Sequence, residues 1–266
     1  TTDTEFSYLG RLVVQFDANG EIILSNLDNT INGAYAATEA TLQEAYGRMD
    51  SAGAIIADSA IGSSIKEITD AIEEVVVTKD GAFFGYTSVY LEGDRTFGRA
   101  QEVNLGDISA DANAEAARAA TGEALVVSLK NGGGIRASIG SIDEDGNKVA
   151  PEANPAASKP SGAISQLDIE NALRFDNKLV TFDTTAAGVQ AILEHAASLS
   201  DGNGGFPQVG GIQYSYDQTK PAGERFVNAA LVDADGVVQA VIIKDGQLAT
   251  DAPTVIKFVS LNFTAN

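Results

Sequence analysis

The sequence has no cysteine and a single histidine. Without cysteine there is no disulfide framework, no thiolate nucleophile and no zinc-finger site, and the redox compartment stays undetermined. Basic residues are also scarce, 17 against 37 acidic ones, for a formal charge of −20. Affinity for nucleic acid comes from neutralising phosphates, so long nucleic acid is excluded as a partner. A small phosphate ester would have to be held by a few arginines gathered locally, which makes each arginine position informative. No apolar run approaches the roughly 20 residues of a membrane-spanning helix, so no membrane span is expected. No basic and apolar leader stands at the start. What is present suits a globular chain: 266 residues, 44% hydrophobic and 20% charged. That length can bury a substantial core, here read as one domain with a smaller segment attached.

The opening predicts a hairpin, with residues 12–16 and 21–24 as strands around the turn-forming Asp17-Ala18-Asn19-Gly20. Residues 35–77 read as connecting helices, with Ile61, Ile65, Ile68 and Ile72 at helical spacing. Beyond residue 86 short strands alternate with helices. Strands are expected at 124–129, 179–183, 212–216, 226–232, 237–243 and 255–260, and a helix at 185–199. Ser165 and Asp168 form a capping-box pattern before a helix at 169–173. Residues 143–162, rich in Pro, Ala, Asp, Glu and Ser, read as a mobile surface loop. The mixture predicts an α+β fold with a mixed β-sheet and packed helices.

The most distinctive segment is a hydrophobic strand running into Asn131-Gly132-Gly133-Gly134-Ile135-Arg136. Three glycines let the backbone approach a ligand and turn its N–H groups toward an anion, and Arg136 adds a planar charge that grips phosphate by two hydrogen bonds. A plain glycine turn with a surface arginine is the competing reading. No Lys-Ser or Lys-Thr follows, so this is not a Walker loop. A second segment, residues 91–99, carries Arg95 and Arg99 beside a helix start, a plausible anion site unless the arginines only pair with nearby carboxylates. His195 borders the apolar stripe of the 185–199 helix and reads as a packed or surface histidine rather than a catalytic base. Residues 143–147 and 233–236 lack the twelve-residue calcium-loop spacing and read as turns.

Taken together and in order, these runs resemble the C-terminal domain of the 5'-nucleotidase family, which includes UDP-sugar hydrolases and 2',3'-cyclic phosphodiesterases. The resemblance covers residues 86–266. It rests on Arg99-x-x-Glu102-x-Asn104-x-Gly106, the run at 131–137, Leu173-x-Phe175, Leu193-Glu194-His195, residues 205–212, residues 220–225 and residues 262–266. It implies that Arg99, Asn131 and Arg136, with the close-approach Gly133, hold a substrate phosphate, and that Phe175 and Phe263 sandwich the base of a small-molecule nucleotide. The family usually has proline where Arg174 stands, and it continues past the counterpart of Asn266 into a Gly-Gly-Asp-Gly run that binds ribose.

Residues 1–30 resemble the closing hairpin of the family's N-terminal metallophosphatase domain, residues 31–78 a helical linker, and residues 79–266 the substrate-binding domain. The resemblance places a divalent metal pair, such as zinc or manganese, in that metallophosphatase domain. One histidine cannot supply such a centre in the family's manner. The chain is therefore expected to be a fragment of a two-domain phosphohydrolase, with no catalytic or metal residues, no cofactor of its own, and the metallophosphatase domain as its partner. The alternative is a non-catalytic nucleotide or nucleotide-sugar binding module. Family members are commonly periplasmic or extracellular, so that location is expected.

Overall fold

The computed structural model describes residues 7–199 and 202–265; Asn266, the last residue of the run at 262–266, lies outside the described residues. The chain divides between Val75 and Val76 into two compact units.

In the first unit, β1 (Tyr8–Arg11) pairs antiparallel with β2 (Gly33–Ala36), with Tyr8 opposite Ala36. Three helices follow. α1 (Glu39–Tyr46) is capped by the Thr38 side chain and ends on a left-handed Gly47, and α2 (Ala52–Ala57) is capped by Ser51. α3 (Ala60–Gly81) carries the chain into the second unit. It holds the predicted isoleucine stripe, whose four side chains are exposed. The hairpin expected at 12–16 and 21–24 is corrected: only a bridge between Phe16 and Ile22 forms there. The Asp17 carboxylate closes the turn by accepting from the N–H groups of Asn19 and Glu21. The Asn32 side chain bonds both backbone groups of Val13, so the first expected strand is diverted, and pairing moves to residues 8–11 and 33–36.

The second unit runs β3 (Phe83–Tyr86), α4 (Arg95–Gly98), α5 (Asn104–Thr121), β4 (Val126–Asn131), β5 (Ser141–Ile142), β6 (Lys148–Val149), β7 (Ala163–Ser165) and α6 (Gln166–Ala172). Then come β8 (Leu179–Thr184), α7 (Ala186–Ser198), β9 (Pro207–Gly210), β10 (Ile212–Tyr216), β11 (Phe226–Val232), β12 (Val238–Lys244), β13 (Gln247–Leu248), β14 (Ile256–Leu261) and α8 (Asn262–Ala265). The fold is α+β, as the sequence predicts. One sheet has the order β8-β14-β4-β9, with β4 and β14 parallel and the outer strands antiparallel to them; β10-β11-β12-β13 form an antiparallel meander. The chain passes from one sheet to the other at Gly211, whose φ is +70° and where a Cβ would lie 2.1 Å from the Val126 carbonyl oxygen. Only glycine fits that corner.

The main core lies between the sheets around α7. Val189, Leu193, Ala196 and Ala197 pack with Val127, Leu129 and Phe258 from the mixed sheet and with Phe226, Leu231, Ile242 and Ile243 from the meander. Each large apolar side chain buried this way contributes about 1.5–3 kcal/mol. The other face of the mixed sheet takes α5, where Ala117 meets Val126 and Val259. A smaller core of Leu91, Val103, Leu105, Ile135 and Ile139 lies beneath the loops that carry the arginines.

The expected mobile loop at 143–162 is also corrected. It opens with the β5–β6 hairpin, and near its end lies Lys159, whose buried ammonium bonds Asp80 at 2.9 Å and Asp168 at 2.7 Å. Ser165 and Asn154 add hydrogen bonds to Asp80. These long-range polar contacts anchor a segment that composition alone describes as loose. The capping box of Ser165 and Asp168 is present, and Asp168 thus serves both the cap and the cluster.

Candidate functional site

The parallel pairing of β4 with β14 brings their carboxyl ends together, and β8 joins from the other side with Leu179 opposite Leu261. Asn262 N–H donates to the Lys178 carbonyl and the Asn262 side chain accepts from Lys178 N–H, which locks the start of β8 to the end of β14. Phe175, just before β8, and Phe263, just after β14, are therefore delivered to one end of the sheet although they lie far apart in sequence. β4 delivers Asn131 and the glycine turn to the same end. Open sheets with parallel strands commonly bind ligands at the strand carboxyl ends, where loops converge.

A cleft of about 470 Å³ opens there. Arg99, Asn131, Gly133, Phe175 and Phe263 all line it. Arg136 stands beside it, its guanidinium 5.9 Å from the centre of the Phe175 ring. The structure thus brings all six predicted site residues together. Both phenylalanines are half or more exposed, Phe175 at 53% and Phe263 at 69%, unlike the fully buried Phe258 of β14. Neither ring belongs to the buried core.

The glycine turn works differently from the sequence expectation. Gly132 N–H donates to the Phe206 carbonyl and Gly133 N–H to the Gly204 carbonyl, so these two amides bond the protein instead of facing an anion. The glycines are needed for close approach: a Cβ on Gly132 would lie 1.8 Å from the Gly98 carbonyl oxygen. Asn131 donates from its side chain to the same Gly204 carbonyl and ties the turn to the 203–206 loop. Arg99 has a buried Nε with no hydrogen-bond partner. Burial first, then the positive charges of Arg95 and Arg136, lower its pKa below the usual arginine value. The Arg99 guanidinium thus stands in the positive field of two further arginines.

Arg95, which the sequence groups with Arg99 as a candidate anion site, does not line the cleft. Its spacing of four residues from Arg99 puts the two at the ends of the one-turn helix α4. Asn177, Asn203, Gly204 and Thr264 also line the cleft, and no local pattern marks them.

A larger hollow of about 780 Å³ lies between α5 and the β9–β10 corner. Its lining includes Glu102, Asp107, Asp111, Glu115 and Asp233 against Arg118. Burial and neighbouring Asp107 push the Glu102 carboxyl up to about 7, and burial with Asp111 pushes Asp107 up to about 6. Such a field repels phosphate, so size alone does not identify the site. Among the described residues no group of three or more His, Asp or Glu side chains is placed to hold a metal ion, so they do not fit a metal centre. His195 is exposed on α7, and the Asp143 and Asp233 runs are turns in which the aspartate accepts from backbone N–H groups. No helix among the described residues is long and apolar enough to cross a membrane.

The profile of the family described as 5'-nucleotidase, C-terminal domain, matches residues 82–245. The trifunctional nucleotide phosphoesterase protein YfkN of Bacillus subtilis is 31% identical over 153 residues, which cover 57% of this chain and 9% of that protein. Protein 5NUC of Lutzomyia longipalpis is 29% identical over 173 residues, 60% of this chain and 27% of that protein. Among solved structures, the 5'-nucleotidase precursor from Thermus thermophilus superposes with a TM-score of 0.58 at 25% identity, over 98% of this chain and 41% of that one. The chain spans less than half the length of each of these relatives.

Proposed function

The chain belongs to the family of 5'-nucleotidase C-terminal domains, and from that premise we propose that its cleft binds a nucleoside monophosphate, or a related phosphate ester, as the substrate-binding part of a phosphohydrolase. The observation that carries this reading is the meeting of Arg99, Phe175 and Phe263 in one cleft, with Arg136 at its edge. In this reading the phosphate sits against Arg99 and Arg136, with Arg95 adding to the local positive field. The base lies against the exposed rings of Phe175 and Phe263, and Asn131 holds the turn that shapes the floor.

In the same reading, and as the family resemblance implies, hydrolysis in the parent protein belongs to a metallophosphatase domain carrying a divalent metal pair. In this reading the chain binds and orients the ester. A periplasmic or extracellular location is proposed along with this role.

Calorimetry with AMP and adenosine tests the reading. AMP should bind more tightly than adenosine. Arg136→Ala should cost AMP about 1.5–3 kcal/mol, the worth of a charge-assisted hydrogen bond, and leave adenosine unchanged. Equal affinity for both ligands, unaltered by Arg136→Ala, removes phosphate from the reading.

A further inference from the structure

Gln208 of β9 is fully buried on a strand whose neighbours Pro207 and Val209 are buried as well. An amide taken into such a place costs several kcal/mol unless its hydrogen bonds are replaced. Here they are, and every partner lies in one short stretch of chain more than 100 residues away. The Gln208 Nε2 donates to the Gly98 carbonyl at 3.1 Å and to the Gln101 carbonyl at 2.8 Å, and its Oε1 accepts from Val103 N–H at 3.0 Å. Arg99 stands inside that bracket.

The arrangement matters because the Arg99 side chain has few anchors of its own, while the backbone around it is held locally by the Phe97 carbonyl, which accepts from Ala100 and Gln101 N–H. Nothing among the described residues bonds its Nε. The turn at Gly98–Arg99 joins α4 to α5, and Arg99 itself has left helical geometry, with φ −105° and ψ 2°. Its guanidinium packs along Gly204, where a Cβ would come within 3.7 Å of the Arg99 Cζ. Gly204 is in turn held by Gly133 N–H and the Asn131 side chain. α5 leaves no slack on the other side of the amide: a Cβ on Gly106 would sit 1.9 Å from the Gln208 Oε1. Gln208 is thus clamped in one rotamer and holds the backbone on both sides of Arg99.

We propose that Gln208 is a positioning residue: it sets the height of Arg99 over the glycine turn and so tunes the cleft for the phosphate end of the ligand. This rests on the reading of the cleft given above. Gln208 does not line the cleft, so its effect must pass through Arg99.

The test is a double-variant cycle on the whole chain, with AMP and adenosine as ligands and Gln208→Met, Arg99→Ala and their combination as variants. Gln208→Met keeps the volume and removes all three bonds. It should weaken AMP about 10-fold, approaching the loss from Arg99→Ala, as expected when a charge-assisted contact is misplaced. Adenosine affinity should stay within about twofold, and Gln208→Met should add no further loss of AMP affinity in the Arg99→Ala background. A lower Tm with unchanged AMP affinity, or equal loss of AMP and adenosine, shows a merely structural residue and overturns the proposal. If the unmutated chain does not favour AMP and Arg99→Ala is silent, the reading of the cleft fails first and the proposal falls with it. Amide exchange in the unmutated chain decides the matter even if Gln208→Met does not fold. Val103 N–H should exchange as slowly as the core amides of β4 without ligand; fast exchange that AMP suppresses would show that the ligand, not Gln208, orders the segment.

Discussion

Phe258 and Phe263 lie five residues apart, one inside β14 and one just beyond it, and their truncation to alanine should have opposite consequences. Phe258 is 1% exposed and stacks on Phe182 with ring centres 5.1 Å apart. Removing it leaves a cavity in the main core and should cost about 3–5 kcal/mol of stability. Phe263 keeps 69% of its area in water. Full burial of a phenyl side chain is worth about 1.5–3 kcal/mol, so the buried third of this ring contributes about 1 kcal/mol at most. For a unit of this size 1 kcal/mol moves Tm by about 2–4 °C. Phe258→Ala should therefore lower Tm by roughly 6–20 °C, and Phe263→Ala by no more than about 4 °C. Ligand binding should reverse the ranking, because a ring stacked on a base is worth about 1–3 kcal/mol, a 5- to 150-fold loss of affinity. Differential scanning calorimetry and adenosine titration on both variants provide the measurement, with Phe175→Ala expected to follow Phe263→Ala. If Phe263→Ala and Phe175→Ala melt as low as Phe258→Ala and bind adenosine normally when folded, the rings belong to the core and the base binds elsewhere.

Lys159→Met leaves the Asp80 carboxylate buried without its cation and should cost about 3–5 kcal/mol. Burial pushes the Asp80 carboxyl up, but its hydrogen bonds and the Lys159 charge outweigh that and hold it below its ordinary 3.8, so its contribution is present above that value and is lost as pH falls through the lower folded pKa. Urea midpoints of the two proteins should thus converge only in strong acid. Asp107 shows the opposite sign. Its folded pKa of about 6 lies above the ordinary 3.8, so it costs stability as pH rises between those values. Asp107→Asn should stabilise the chain by on the order of 1 kcal/mol at pH 8 and by nothing near pH 3, read from melting curves. Gly132→Ala drives a Cβ into the Gly98 carbonyl, 1.8 Å away, and should both lower Tm and abolish the preference for AMP over adenosine. Finally, the chain with manganese, cobalt or zinc should release no phosphate from AMP above a buffer blank; release that survives repurification would refute the assignment of hydrolysis to another domain.

Local pattern determined a good deal by itself. The strands at 179–184, 212–216 and 226–232 and the helix at 186–198 follow from apolar periodicity, because a buried face imposes its period on the residues that cover it. The Ser165 cap could be read directly, since both of its partners lie within three residues. The order of short motifs pointed to the family, to five residues that line one cleft and to Arg136 beside it. What sequence alone could not supply was every decision made between distant segments. That β14 lies between β4 and β8, which gathers Asn131, Phe175 and Phe263, depends on ladders between segments distant in sequence. The glycine turn was legible as a place of close approach, but which carbonyls would take its amides was not, because Gly204 and Phe206 reach it only through the β4–β9 pairing. The 143–162 segment misled for the same reason: its composition is that of a loop, and its order comes from a lysine whose partners sit on α3 and α6. A hydrogen bond or ion pair within a few residues leaves a pattern in sequence; one formed across the fold leaves only a residue type, and the tertiary structure decides what that residue meets.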